Sequence, residues 1–282
     1  MGTSHGFGKI VGMKVTGLSV YPVKSLGGRP VDSALVEPQG LASDRRWCLV
    51  DEVGEVVTAR ECHDLLRLNA EVVDDEAIRL TDRADGANIL VETPLGLPAV
   101  PVSLSRMPSA TPADDDVNEW ISTRVGRPLR LVWQENPASR PISAAHGGEP
   151  GEVVSMADTG PLLLVSESSL RQLNEWIALD DPGAEALDIG RFRPNVVIDG
   201  DQPFAEDTWT SVQIGEVRFR TTELCDRCVM TTIHPVSLAK GKEPIRTLAR
   251  HRRWDGATWF GTRLVPLGGG DLRIDDSVTP ES

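Results

Sequence analysis

The sequence predicts a β-rich α+β fold with a few peripheral helices. Most of the chain consists of short segments, many rich in Val, Ile, Leu or Thr, which Gly, Pro or Asp residues separate. Eight such segments fall within the first 105 residues, a density typical of a barrel or a sandwich. Strands and helices do not alternate regularly, which disfavours a doubly wound α/β fold.

The first half of the chain is predicted to form strands followed by one helix. The eight strands span residues 13–23, 34–37, 46–51, 55–59, 68–73, 78–81, 89–92 and 99–104. A helix is expected next, because residues 114–116 are aspartates that can cap its first turn. Val117, Trp120 and Ile121 then recur at helical spacing. A strand over residues 129–133 follows.

The second half is predicted to continue the strands with two more helices. Residues 134–157 form a polar loop, and a loop of that length is usually functional or mobile. One helix begins after Ser166, and a shorter one runs from Pro244 to about His251. The expected strands span residues 162–165, 195–199, 212–214, 217–222, 229–233, 259–265 and 272–274.

Charge and composition exclude several classes of function. The 282 residues carry a formal net charge of −13, which argues against nucleic acid or an anionic membrane surface as the main partner. A run of 18 apolar residues is missing, so we expect no membrane span. Residues 1–9 lack the pattern of a secretion signal and are expected to form a flexible tail. Only four cysteines occur, which favours a reduced, cytoplasmic setting.

The sharpest local motif is the CDRC segment at residues 225–228, between two strand-like segments. Three interpretations stay open: a zinc or dithiol site, two inert buried cysteines, or one reactive thiolate. Cys48 and Cys62 are too far apart in sequence to resemble a second close pair of zinc ligands. Arg227 would favour an ionised thiol, the form that binds soft metals, so we favour the reactive thiolate.

Four further motifs place charged or polar residues at strand ends. They are RFRPN at residues 191–195, YPVKS at 21–25, DRRW at 44–47 and Asp158 before an apolar strand. Each by itself is explained by a solvated surface or a turn. As an alternative, paired arginines favour an anion site, since guanidinium groups make paired hydrogen bonds to phosphate or carboxylate.

Taken in order, these motifs resemble the MOSC family. The likeness also includes VVTAR at residues 56–60, LLLVSESSL at 162–170, AEDTW at 205–209, IGEV at 214–217 and KEPIRTL at 242–248. It looks closest to the branch that contains the mitochondrial amidoxime-reducing component and its bacterial relatives. The resemblance implies a MOSC N-terminal β-barrel domain over residues 13–130 and a MOSC β-barrel domain over 131–278. The molybdenum cofactor would lie between them.

The resemblance also assigns roles to individual residues. It implies that Cys228 ligates molybdenum, and that Asp158 lies beside the metal as a polar group and possible proton donor. The residues implied to hold the phosphate-bearing pterin are Lys24, Ser25, Arg45, Arg193 and Asn195. This chain departs from many relatives at Leu26 and over residues 234–238, which predicts a different loop near the site.

The function that this resemblance implies is the reduction of N-hydroxylated compounds by a molybdenum enzyme. Electrons would come from a separate donor protein of the ferredoxin, flavodoxin or reductase type, since the chain has no flavin, nicotinamide or iron–sulfur motif of its own. The main alternative is a molybdenum cofactor carrier or a sulfur-transfer module that uses Cys228 as a persulfide. A third interpretation is a non-catalytic interaction protein, which would leave the basic strand ends unexplained.

Overall fold

The computed structural model describes residues 12–282, so the predicted tail at residues 1–9 lies outside the described residues. The predicted β-rich fold is confirmed. In chain order the strands are β1 (Met13–Val20), β2 (Arg29–Val31), β3 (Ser33–Glu37), β4 (Gly40–Leu41), β5 (Trp47–Val50), β6 (Val56–Val57), β7 (Leu68–Asp74), β8 (Ala77–Asp82), β9 (Asn88–Glu92), β10 (Val100–Leu104), β11 (Met107–Pro112), β12 (Arg130–Trp133), β13 (Leu162–Ser166), β14 (Val196–Ile198), β15 (Ser211–Ile214), β16 (Val217–Asp226), β17 (Arg253–Trp254), β18 (Ala257–Pro266), β19 (Gly270–Arg273) and β20 (Ser277–Glu281). The α-helices are α1 (Asp115–Val125), α2 (Glu167–Asp180) and α3 (Ile245–His251).

Seven strands close into a barrel. Their order is β13, β14, β1, β20, β15, β16 and β18, and β18 pairs back to β13. The first strand, β1, is antiparallel to both β14 and β20, so the start of the described chain completes a barrel whose other strands lie after residue 161. Leu18, Leu164, Phe219 and Leu264 fill its core and are almost fully buried.

Strands β5 to β12 form a second core, whereas β2 pairs with β1 and strands β3 and β4 form a small sheet with β19. A five-stranded sheet has the order β10, β11, β12, β5 and β6, and a three-stranded sheet has the order β7, β8 and β9. Leu49, Leu80 and Leu131 from these sheets meet Ile121 of α1 in one buried cluster. Helix α1 ends at Gly126, whose φ of 68° is the left-handed conformation that terminates helices. None of the helices within residues 12–282 is long and apolar enough to cross a membrane.

One predicted strand is wrong, and five short strands were not predicted. Residues 229–233 do not form a strand, because the chain makes a 3-10 turn at Val229–Thr232 instead. There the hydroxyl of Thr231 donates to the carbonyl of Cys228, and Thr232 donates to Val229. These local bonds replace the ladder bonds that a strand would make. Strands β2, β4 and β17 were not predicted because each has only two or three residues. Strands β11 and β20 were not predicted because Ser, Pro and Thr interrupt their apolar residues.

Candidate functional site

All seven predicted site residues line one cavity of about 730 Å³. Both halves of the chain contribute to its wall. The loop after β1, the turn after β6 and the end of β16 all supply residues that line the cavity. The predicted residues that it brings together are Lys24, Ser25, Arg45, Asp158, Arg193, Asn195 and Cys228.

The cavity is basic although the chain as a whole is acidic. Eight Lys or Arg residues line it against three Asp or Glu residues. The net charge of the full chain, by contrast, is −13. Positive side chains that converge on a concave wall attract anions by focusing their field into the cavity. The cavity therefore suits an anionic ligand.

A cluster of two arginines forms one part of the wall. Arg45 donates to the side-chain oxygen of Asn195 at 2.8 Å and to the carbonyl of Arg193 at 3.1 Å. Arg193 in turn donates to the carbonyl of Leu26. Both guanidinium groups lie over the ring of Tyr21, at 4.6 Å for Arg45 and 4.3 Å for Arg193. Burial lowers the pKa of Arg193 to about 10, so it is still a cation at neutral pH.

Three of the predicted binding residues adopt left-handed backbone conformations. The φ angles are 71° at Ser25, 48° at Arg45 and 55° at Arg193. Such conformations are uncommon for residues other than glycine, and each costs on the order of 1–3 kcal/mol. Strained residues of this kind cluster at functional sites, where the surrounding structure holds them in place.

Asp158 is held between two cations. Lys24 donates to one carboxylate oxygen, and Arg60 donates to the other at 3.1 Å. Lys24 also donates to the carbonyl of Met156 at 3.0 Å. The charge of Lys24 holds the pKa of Asp158 well below its usual range, and Arg60 and Arg263 act in the same direction. The carboxylate is therefore ionised at neutral pH.

The two cysteines of the CDRC motif differ in environment. Cys225 is buried at the end of β16, where its sulfur accepts from Arg227 at 2.8 Å and from Arg263 at 3.6 Å. Cys228 is half-buried in the cavity wall, and its sulfur accepts from Arg60 at 3.4 Å. The structure therefore gives Cys225 the packed position and Cys228 the accessible one.

A zinc site is not supported by the arrangement of these thiols. Within residues 12–282, no group of three His, Cys, Asp or Glu side chains could hold a metal ion together. Cys48 lies in the buried strand β5, and burial raises the pKa of its thiol to about 12. A structural zinc site needs four ligands, so the zinc interpretation of the CDRC motif is wrong for the part of the chain that the structure describes.

Comparison with known proteins gives the family. The MOSC domain matches residues 151–279, and the MOSC N-terminal beta barrel domain matches residues 12–128. Mitochondrial amidoxime-reducing component 1 of Xenopus laevis is 31% identical over 94% of this chain and 81% of its own length. The chain belongs to the MOSC family. The human protein of the same name is 30% identical over 94% of this chain and 82% of its own length.

A second group of relatives comprises molybdenum cofactor sulfurases. The rice protein is 32% identical over 87% of this chain, but the match covers only 31% of its own length. The MOSC protein thus spans about a third of the sulfurases that it matches. The sulfurases are named for the molybdenum cofactor, and the other relatives are named for the reduction of amidoximes. Together with the MOSC domain, these matches support a function associated with the molybdenum cofactor.

The cavity of this MOSC protein fits such a group. A phosphate-bearing pterin needs cations, and the wall supplies them; a soft metal needs a thiolate, and Cys228 faces the same space. The buried Nε of Arg227, which also lines the cavity, finds no acceptor among residues 12–282. A buried donor without a partner costs free energy, and a bound ligand with acceptor atoms would remove that cost.

Several cavity residues were not singled out from the sequence. Arg60 ends the VVTAR motif, but sequence alone gave it no role. Arg140 lies in the predicted polar loop and is buried, where it donates to the backbone carbonyls of Ser155, Ala157 and Asp158. It thereby fixes the segment that carries Asp158. A lone arginine in a polar loop gives no signal for such a role, because its acceptors are distant backbone groups.

The ion pair of Asp158 predicts a pH dependence of stability. Because its pKa is lower in the folded chain than in the unfolded one, the pair stabilises the fold at neutral pH. That stabilisation is lost as the pH falls below about 4, the value of an unperturbed aspartate. The side chain of Asp158 is 53% exposed, so solvent screens the pair and the contribution is on the order of 1 kcal/mol.

The measurement compares urea unfolding of the native protein and of Asp158→Asn from pH 7 to pH 3. The difference in free energy of unfolding should be largest at pH 7 and should shrink below pH 4. A difference that stays constant over this range would show that ionisation of Asp158 does not stabilise the fold.

Proposed function

We propose that this MOSC protein binds the molybdenum cofactor in the basic cavity. The observation that carries the proposal is the half-buried thiol of Cys228 in a wall with eight cationic side chains. Cys228 would ligate the metal, since a thiolate suits a soft metal. The residues that would hold the phosphate-bearing pterin are Lys24, Ser25, Arg45, Arg193 and Asn195.

We further propose that the protein is an oxidoreductase that reduces N-hydroxylated compounds. The support is the length of the match: the chain covers 81–82% of the amidoxime-reducing components, against about a third of the sulfurases. When bound, the cofactor supplies the two-electron redox chemistry. Overall, two electrons and two protons convert an N–OH group to N–H and water. The electrons would come from a separate cytoplasmic donor of the ferredoxin, flavodoxin or reductase type.

The residues of the chain would bind and orient rather than react. Arg45 and Arg193 hold each other in place through the carbonyl of Arg193 and the ring of Tyr21, so their donors are fixed before a ligand enters. Asp158 is better suited to anchor Lys24 and Arg60 than to donate a proton, because its low pKa keeps it ionised. The sequence had suggested the proton-donor role, and the charges around Asp158 argue against it.

The sulfurase relatives favour one other candidate, a sulfur-transfer module. In that case Cys228 would carry a persulfide and the protein would not turn over a small N-hydroxylated substrate.

One experiment separates the two candidates. The protein is produced in a host that makes the molybdenum cofactor, and its molybdenum content is measured together with its reduction of benzamidoxime by reduced methyl viologen. We expect close to one molybdenum per chain and formation of benzamidine. Protein with a persulfide on Cys228, no molybdenum and no benzamidine would favour the sulfur-transfer role instead.

A further inference from the structure

We propose that Arg60 is a positioning residue that joins the sulfur of Cys228 and the carboxylate of Asp158 in one hydrogen-bonded unit. Its Nε donates to the sulfur at 3.4 Å, and its Nη2 donates to Asp158 at 3.1 Å. The two acceptors come from different segments of the second half of the chain, whereas Arg60 comes from the first half. Through this one side chain, the first half of the protein reaches the candidate metal ligand.

The backbone that carries Arg60 is fixed by its own turn. The carbonyl of Thr58 accepts from the amides of Glu61 and Cys62, and the amide of Thr58 donates to the side chain of Glu61 at 3.1 Å. Cys62 packs against the core of the first half. Arg60 therefore starts from a constrained position.

The geometry requires the planar group of an arginine. Nε and Nη2 lie on one guanidinium plane and point at two different acceptors, which the single ammonium of a lysine cannot reproduce. The other oxygen of Asp158 accepts from Lys24, so the carboxylate cannot turn away from Arg60 without losing a second bond. Arg60 thus holds the sulfur at a set place relative to the anion.

A consequence for the metal follows, and it rests on the proposed function. Hydrogen bonds to a ligating sulfur tune the reduction potential of the metal, because they draw electron density from the sulfur. Loss of the donor should therefore make the metal harder to reduce. We expect Arg60→Ala to lower the midpoint potential of a one-electron metal couple by about 59 mV. At a given potential, this corresponds to an about tenfold higher ratio of oxidised to reduced metal.

The first test needs no metal. In a nitrogen–proton correlation spectrum of the purified apoprotein, the Nε–H signal of Arg60 is assigned by its loss in Arg60→Lys. We expect Cys228→Ala to move that signal. Cys225→Ala is the matched control, since Cys225 accepts from Arg227 and Arg263 and its loss should leave the Arg60 signal in place. If the Nε–H signal of Arg60 does not move in Cys228→Ala, Arg60 does not donate a hydrogen bond to Cys228, and the proposal is wrong.

The second test uses the loaded protein. The midpoint potential of the molybdenum couple is followed by EPR in the native protein, Arg60→Ala, Arg60→Lys and the control Arg127→Ala, whose side chain is similarly exposed. We expect the full shift in Arg60→Ala, part of it in Arg60→Lys and none in Arg127→Ala. Thermal melts should stay cooperative in all of them, with at most a small loss of stability where the contact to Asp158 is removed. An unchanged midpoint potential in Arg60→Ala would show that Arg60 does not tune the reduction potential of the metal. Native protein without molybdenum would instead contradict the proposed function, while the first test would still decide the contact.

Discussion

Replacing Cys228 with Ser is expected to abolish both molybdenum retention and the reduction of benzamidoxime. A hydroxyl is a hard ligand and a poor substitute for a soft thiolate at such a metal. The fold should survive, because the side chain of Cys228 lies in the cavity wall rather than in a core. Metal analysis, the reductase assay and a circular-dichroism melt are measured on the same preparation.

Cys225→Ser is the matched control for this change. Cys225 is 7% exposed and accepts from two arginines, so its loss should lower stability on the order of 1 kcal/mol and reduce cofactor loading in part. Activity per bound molybdenum should stay close to native. Full molybdenum content and full activity in Cys228→Ser would show that the ligand is another residue.

Replacing Arg193 with Ala is expected to loosen the cofactor by about one to two powers of ten. A hydrogen bond to a charged group contributes about 1.5–3 kcal/mol, and ~1.4 kcal/mol corresponds to a factor of ten in binding. Arg193→Lys should restore only part of the loss, because an ammonium lacks the planar fork. Pterin content after purification and after dialysis measures the retention of the cofactor.

A control arginine separates binding from packing in this experiment. Arg171 on α2 is exposed, pairs with Glu167 of the same helix and donates to the carbonyl of Gly200 at 3.3 Å. None of these three residues lines the cavity, so Arg171→Ala should leave pterin content unchanged. Arg193 also donates to the carbonyl of Leu26, and a collapsed melt in Arg193→Ala would mark it as a structural residue. Unchanged pterin content with an unchanged melt would contradict any role for Arg193 in binding.

Much of the fold followed from local sequence patterns. The order of the main strands along the chain is of this kind, and so is the start of α2, where the side chain of Ser166 accepts from the amide of Ser169. The aspartate cap expected for α1 is not formed, because the side chain of Asp114 makes no capping hydrogen bond. The strand expected over residues 229–233 failed for a local reason as well. Threonine favours strands by composition, but here its hydroxyls bond to carbonyls three residues earlier.

The site was only partly accessible from the sequence. The seven predicted site residues could be found because their motifs occur in the order typical of the MOSC family. All seven line one cavity. Arg60 and Arg140 could not be found in this way. Their acceptors are a sulfur 168 residues away and backbone carbonyls more than ten residues away, and local patterns carry no signal for such contacts.

By itself, the sequence determined the β-rich class and the order of the main elements. It also identified the cationic candidate binding residues and the CDRC motif, which holds the thiol proposed to bind a soft metal. These are local properties, since periodicity and capping depend on neighbours in the chain. Only the tertiary structure decided that β1 completes a barrel whose other strands lie after residue 161. It also decided that Lys24, Arg60 and Asp158 meet beside Cys228. Closure of the barrel brings these distant segments together, and the charges then set each other's ionisation through space, which no stretch of sequence specifies alone.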